Sequence, residues 1–330
     1  MEIDSLLQSF NESMDTFFDG EKYTVLSIEG MKHKVGKSSE GYPKVFVITK
    51  ASKSVLHNLN GELFSVEYNI QCSLVDDKAE VTDAVFSIIT LRSTDEYLRK
   101  IFFDVFTMML LTLPEMPTDM ELAMKIEGLL SIFAALKRKP IHKIQGLWAE
   151  LLVIERSVCP NIVAKAWHNS PDSKYDFTMG ADKIEVKSTS SEERVHKFSL
   201  DQLNPTVSSN LLIASVIVRE SAKDDNGLSV FGMYDKICAR ISDIDVRMHV
   251  YSIITNTLGD EYEKANNVYF DYVSGKDSLG YYDYKDVPKI GKKLVPAFVS
   301  AVKFDSNLEH VDDITKKGIT FDKDTLLGSI

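Results

Sequence analysis

The sequence predicts an α+β protein whose second half is built on an α/β core, and three observations carry that expectation. Residues 23–91 hold successive runs of β-branched and aromatic residues separated by Gly, Asn, Asp and Ser. Residues 94–136 change to a helical period, and residues 144–219 run helix, hairpin and further strand. In the first region, 44–49 (KVFVIT), 62–70 and 84–91 are the strands, preceded by an amphipathic start whose apolar residues are Ile3, Leu6, Leu7, Phe10, Met14, Phe17 and Phe18. The helical stretch breaks once, at 113–117 (LPEMP), where two prolines interrupt the backbone ladder.

The basic patch Lys137, Arg138, Lys139 ends in Pro140, which discourages continuation of the preceding helix and marks a boundary. It separates an N-terminal α+β domain, 1–140, from a second domain, 141–330. The second domain should open with a helix over 144–156, followed by strands at 175–178, 183–188 and 211–219 and a helical segment over 230–257. A strand-like tail follows, holding 268–272 (VYFDY), the edge run 281–284 (YYDY) and 294–304, which together form a C-terminal β extension. No internal repeat or low-complexity tract interrupts this order.

Composition narrows the class. The chain has 330 residues, 44% hydrophobic and 26% charged, the profile of an ordinary globular protein. The first twenty residues carry Asp4, Glu12, Asp15 and Asp19 with no basic start and apolar core, so no secretory signal is expected and a cytoplasmic location is. Cys72, Cys159 and Cys238 stand far apart and are expected as free thiols, not a disulfide framework or zinc knuckle. The most apolar run, 105–113, falls far below the roughly 18 residues a membrane span needs, and no membrane contact is expected. A formal net charge of −11 means that any nucleic-acid contact must be local, or helped by metal or a partner.

The chemistry concentrates in one hairpin. Residues 183–188 (KIEVKS) alternate strictly, so Ile184 and Val186 share one face while Glu185 and Lys187 share the other. Upstream, 175–178 (YDFT) is followed by 179–182 (MGAD), a Gly-centred reversal. A turn centred on Gly180 and Ala181 places Asp176 opposite Glu185. Two carboxylates so placed stand about 5 Å apart and repel unless something positive lies between them. A divalent cation with oxygen ligands suits that position, and Lys187 on the same face can hold or help deprotonate an attacking water.

Asp176, the Glu185-Val186-Lys187 triplet and 146–150 (GLWAE) resemble the PD-(D/E)xK restriction-endonuclease-like superfamily. More narrowly, 146–151 (GLWAEL), Trp167, 175–177 (YDF), 185–189 (EVKST), His196, Ser199, Gln202 and Leu203 are similar to bacterial PD-(D/E)xK motif proteins found among phage-defence and restriction genes. The specific part of the likeness is 144–203. The resemblance implies a restriction-endonuclease-like core of helix, mixed central sheet and flanking helices. It also implies metal-binding carboxylates at Asp176 and Glu185, a catalytic Lys187, and a further metal-binding Glu on the preceding helix, Glu150. A literal Pro171-Asp172 makes Asp172 a competitor for the aspartate role, but it sits in a Ser-Pro-Asp-Ser turn, whereas Asp176 lies in an apolar strand pattern. Helical periodicity does not choose between Glu150 and Glu155; the family pattern favours Glu150.

Ser188, Thr189, Arg194, His196, Lys197 and Gln202 are candidate nucleic-acid contacts, weighed against a solvated loop with an ordinary helix cap at Ser199. Trp148 and Trp167 read as core residues. The expected activity is a Mg2+-dependent endonuclease, with Mn2+ as substitute, acting on DNA in a bacterial restriction or phage-defence system. Expected partners are an ATPase or helicase, a methyltransferase, or a second copy for double-strand cutting. The competing readings are a non-cutting subunit that keeps the fold, and a nuclease for RNA or single strands. Gly36-Lys37-Ser38 is not a P-loop, because Met31 stands where that spacing needs glycine. No G-x-S-x-G elbow, H-E-x-x-H helix or dinucleotide glycine fingerprint is present.

Overall fold

The computed structural model describes residues 9–12, 22–28, 30–50, 56–76, 78–140, 143–170, 173–224 and 226–330. Asp172 and the amphipathic start, apart from the stretch around Phe10, lie outside them. The fold is mixed α+β, and the chain divides into two compact units, Met1–Phe133 and Ala134–Ile330.

The first unit holds β1 (Lys22–Ser27), β2 (Lys34–Lys37), β3 (Pro43–Ile48), β4 (Leu59–Asn60), β5 (Phe64–Asp76) and β6 (Val81–Leu91). Their order is β1-β2-β3-β6-β5-β4, and β1 also pairs in parallel with β5, so five strands close on themselves. Val25, Phe46, Cys72, Leu74, Phe86 and Ile88 pack into one buried cluster from these strands. Gly36-Lys37-Ser38 lies at the end of strand β2, not at a phosphate loop. Helix α1 (Glu96–Thr112) starts where Asp95 accepts a hydrogen bond from the Leu98 amide, and it ends at Leu113, extended before Pro114. Helix α2 (Asp119–Ala135) opens on a capping box in which the Thr118 amide donates to Glu121 (2.8 Å) and the Glu121 amide donates to Thr118 (3.3 Å). The 105–113 run is thus largely the buried face of α1, whose Phe102 packs with Phe64, itself edge-on to Phe133. No helix among the described residues is long and apolar enough to cross a membrane.

The second unit opens with α3 (Ile144–Arg156) and α4 (Pro160–Ala166), where Pro160 occupies the first helical turn. Strands β7 (Phe177–Met179), β8 (Asp182–Thr189), β9 (Val195–Ser199) and β10 (Asn210–Ile217) follow, then the short β11 (Glu220–Ser221) and β12 (Gly227–Leu228). Next come α5 (Val230–Arg240), α6 (Ile244–Leu258), α7 (Tyr262–Asn266), β13 (Tyr269–Asp271), α8 (Tyr272–Ser278), β14 (Gly280–Asp283) and β15 (Lys303–Asn307). The central sheet runs β14-β10-β8-β7 and is mixed: β8 and β10 are parallel, while β7 and β14 join them antiparallel at the edges. The strand bearing Glu185 and Lys187 is therefore an inner strand, buried between β7 and β10.

Three expectations need correction. The helical segment 230–257 is two helices, because Asp243 caps a new start by accepting from the Val246 amide (3.3 Å). Residues 268–272 are strand only through Asp271, whose carboxylate accepts from the Ser274 amide and starts α8. Residues 294–304 are mostly irregular; only the end of the segment joins β15, which pairs with β9 rather than with the central sheet. Both tryptophans are fully buried. A Cβ on Gly275 would stand 2.7 Å from Cη2 of Trp148, so only glycine lets α8 lie this close to α3.

Candidate active site

The hairpin has the register that its glycine-centred turn predicts. Phe177 faces Ile184, Thr178 faces Lys183 and Met179 faces Asp182, with Gly180 at φ +55° in the turn. The ladder stops at Phe177. Asp176, one residue further, lies beside Glu185 without joining the ladder; its Oδ2 accepts a 2.6 Å hydrogen bond from the Val186 amide. Its main-chain oxygen accepts from the His168 amide (2.9 Å). The aspartate is thus fixed at both ends of the residue.

Strand alternation buries Glu185, which is 2% exposed, on the face it shares with Lys187. Lys187 Nζ donates to Glu185 Oε1 at 2.6 Å and lies 5.3 Å from the centre of the Phe198 ring. Gln202 Nε2 donates to the same Oε1, and Gln202 Oε1 accepts from the Ser199 amide at 3.0 Å. Glu185 Oε2 is buried and has no hydrogen-bond partner among the described residues.

Helix α3 brings Glu150 to the same place, and the structure separates it from Glu155. Glu150 Oε2 accepts from Trp167 Nε1 (2.8 Å) and lies 2.9 Å from His168 Nε2. Glu155 is equally buried but accepts from the Tyr272 hydroxyl (2.9 Å), beside α8. Glu150, His168 and Asp176 each offer a ligand atom, all within 4.8 Å of one another. Burial, then Glu185 and Glu150, holds the Asp176 carboxyl well above the ordinary carboxylate range, against the Val186 amide and Lys187. Burial raises Glu185 as well, against the charge and hydrogen bond of Lys187.

His168 is a residue that motif spacing does not reveal. It follows Trp167, which bridges to Phe177, and it holds a left-handed φ of +39° that turns its ring toward Glu150. Its nearest sequence signal is position, eight residues before Asp176.

The candidate nucleic-acid contacts divide. Gln202 belongs to the carboxylate cluster, and Ser188 accepts from Gln145 of α3 (3.2 Å). Thr189 caps a turn by accepting from the Ser191 amide (3.1 Å). His196 is buried with Nε2 2.7 Å from the Ser215 hydroxyl, and Arg194 donates to the Ser215 hydroxyl and carbonyl and to the Ser278 carbonyl, tying strands together. Lys197 is exposed. Ser199 caps a turn, not a helix, accepting from the Gln202 amide (3.3 Å).

A Glu-bearing helix packed beside an Asp and a Glu-x-Lys strand on a mixed sheet defines a nuclease-like fold of the PD-(D/E)XK class. The family model DUF4420, whose description reads "Putative PD-(D/E)XK family member", matches residues 14–309, and the chain belongs to that family. No curated protein and no solved structure matches it.

Proposed function

We propose that the chain is a metal-dependent endonuclease that hydrolyses phosphodiester bonds of DNA, on a restriction-endonuclease-like core, in a bacterial restriction or phage-defence system. One observation carries this reading: Glu185 Oε2 is buried with no hydrogen-bond partner among the described residues, close to the group that Glu150, His168 and Asp176 form. An unsatisfied buried acceptor costs about 1–3 kcal/mol, and more when charged. A divalent cation offsets both that cost and the repulsion among the carboxylates.

The donor set fits such an ion. Asp176 and Glu150 would hold it together with the His168 imidazole, and Glu185, which lies outside that group but close to it, would add a further carboxylate. Oxygen ligands suit Mg2+, and Mn2+ tolerates an added imidazole more readily. When bound, the ion supplies Lewis-acid activation of water and neutralises charge on a phosphate. The chain's own residues do the positioning. Gln202 and Lys187 fix Glu185 from one side, Trp167 and His168 fix Glu150, and the Val186 amide fixes Asp176. Lys187, its side chain 19% exposed, keeps an ammonium at the edge of the cluster, where it orients the attacking water and meets the charge developing on phosphate.

The test is cleavage of plasmid and single-stranded DNA with Mg2+ or Mn2+. Wild type should cut, while Asp176→Ala and Lys187→Ala should be silent. Cutting in the presence of chelator, or cutting that survives both substitutions, would sink the reading.

A further inference from the structure

Most of the loop between β14 and β15, with the first residues of β15, is a carboxylate-free basic stretch in this acidic chain. Residues 287–304 hold Lys289, Lys292, Lys293 and Lys303 and no Asp or Glu, within a chain of net charge −11. The loop also displays apolar side chains outward: Leu294 is 77% exposed, Val299 51%, and Phe298 fully exposed. Phe298 and Ala301 sit at φ +68° and +54°, a left-handed conformation that costs an L-residue about 1–2 kcal/mol. Such positions persist where surrounding structure holds them, and they gather at ligand clamps.

What holds this loop is the turn at residues 199–204. The Leu200 amide donates to the Val302 carbonyl (2.9 Å), and Asn204 Nδ2 donates to the Ile290 carbonyl (2.9 Å). The Lys292 amide donates to Asn204 Oδ1 (3.4 Å), and Lys292 Nζ pairs with Asp201 (3.0 Å). Both feet of the loop therefore stand on one short turn. Gln202 of that turn is the residue that holds Glu185.

We propose that this loop is a nucleic-acid contact, with Phe298 stacking on or wedging between bases while Lys293 and Lys303 meet phosphates beside the Glu185–Lys187 site. The inference rests on the nuclease reading and adds to it the element that grips substrate. Charge complementarity selects the occupant: a run of lysines without a carboxylate suits a polyanion. Anchorage on the turn behind Glu185 selects the substrate over a remote partner. An aromatic ring free of protein neighbours offers a stacking face that any base can use, and an apolar side chain inserted at a base step can open it.

The experiment measures anisotropy of labelled single-stranded and duplex DNA with the full-length chain in chelator, so that binding is read apart from cutting. Phe298→Ala should weaken binding about tenfold or more, and Phe298→Trp should keep it. Lys293→Ala with Lys303→Ala should make the salt dependence shallower by roughly 1.5 in the log–log slope. Phe298 is fully exposed and Lys293 and Lys303 are exposed, which predicts unchanged thermal melting, so a loss of binding is not a loss of fold. If wild type binds DNA and the variants bind equally well, the loop proposal is overturned and the nuclease reading stands. If the loop variants instead lose self-association, or lose binding to phosphatidylserine vesicles, while holding DNA normally, the occupant is a second copy or a lipid surface and the proposal is equally overturned. If wild type binds no DNA in chelator, the loop proposal is overturned, and the nuclease reading is decided separately by the metal-dependent cleavage test.

Discussion

Replacing Asp176 by Asn should make the metal-free protein more stable while abolishing its function. Glu150 and Asp176 bring carboxylate oxygens within 4.8 Å, and Glu185 adds its charge to the same pocket. At an effective dielectric constant of about 20, one such pair of unit charges repels by about 3.5 kcal/mol. Asparagine removes that repulsion yet keeps an oxygen to accept from the Val186 amide, as the Asp176 carboxylate does. Partial protonation in the wild type relieves some of the strain, so the gain should be about 2 kcal/mol, or roughly 4–8 °C for a unit of this size. The assay is thermal melting at pH 8 in chelator, repeated with millimolar Mg2+, Mn2+ or Ca2+. Wild type should gain stability with cation through binding linkage, and Asp176→Asn should gain much less. Two results would refute the reasoning: a variant that melts below wild type in chelator, or one that gains as much from cation as wild type does.

Two further outcomes follow from the surroundings of the site. Trp167→Phe removes the indole donor from Glu150, a bond worth about 1.5–3 kcal/mol to a charged acceptor, and should weaken Mn2+ binding by about tenfold to a hundredfold, read by calorimetry; unchanged affinity would show that Glu150 needs no such support. His196 supplies a pH dependence: burial first, then Lys187 and Arg194, pushes its pKa down from 6.5 to about 4. Because the folded value lies below the unfolded one, its contribution is present above about pH 6.5 and is lost as pH falls toward 4, by about 3 kcal/mol. Asp176 and Glu185, raised in the fold, act with the opposite sign, so the measurement is the difference between wild type and His196→Gln in urea at pH 7, 5 and 4. That difference should shrink steadily with acid; a constant difference would refute the assignment.

The hairpin was legible from sequence because its determinants are local. Two-residue periodicity put Glu185 and Lys187 on one face, and a glycine-centred turn set the register from Met179–Asp182 to Phe177–Ile184; the expected Asp176–Glu185 pairing lies just past the end of that ladder. The prolines at 114 and 117 likewise marked the gap between α1 and α2. Two equally local signals were missed. Asp243 and Asp271 are short polar residues whose side chains cap helices, and each converted an apolar pattern read as one element into two.

By itself, then, the sequence determined the strand pair, the shared face of acid and base, and the helix that carries a glutamate. Only the tertiary structure decided which glutamate faces the site, since Glu150 and Glu155 are equally buried and differ only in meeting Trp167 or Tyr272. It alone brought in His168, turned Gln202 from a candidate nucleic-acid contact into a partner of Glu185, and stood the lysine-rich loop on the turn behind Glu185. The physical reason is distance along the chain. Periodicity and turn chemistry act over a few residues, whereas these contacts join segments 17 to 117 residues apart, and only packing of the whole core brings such segments together.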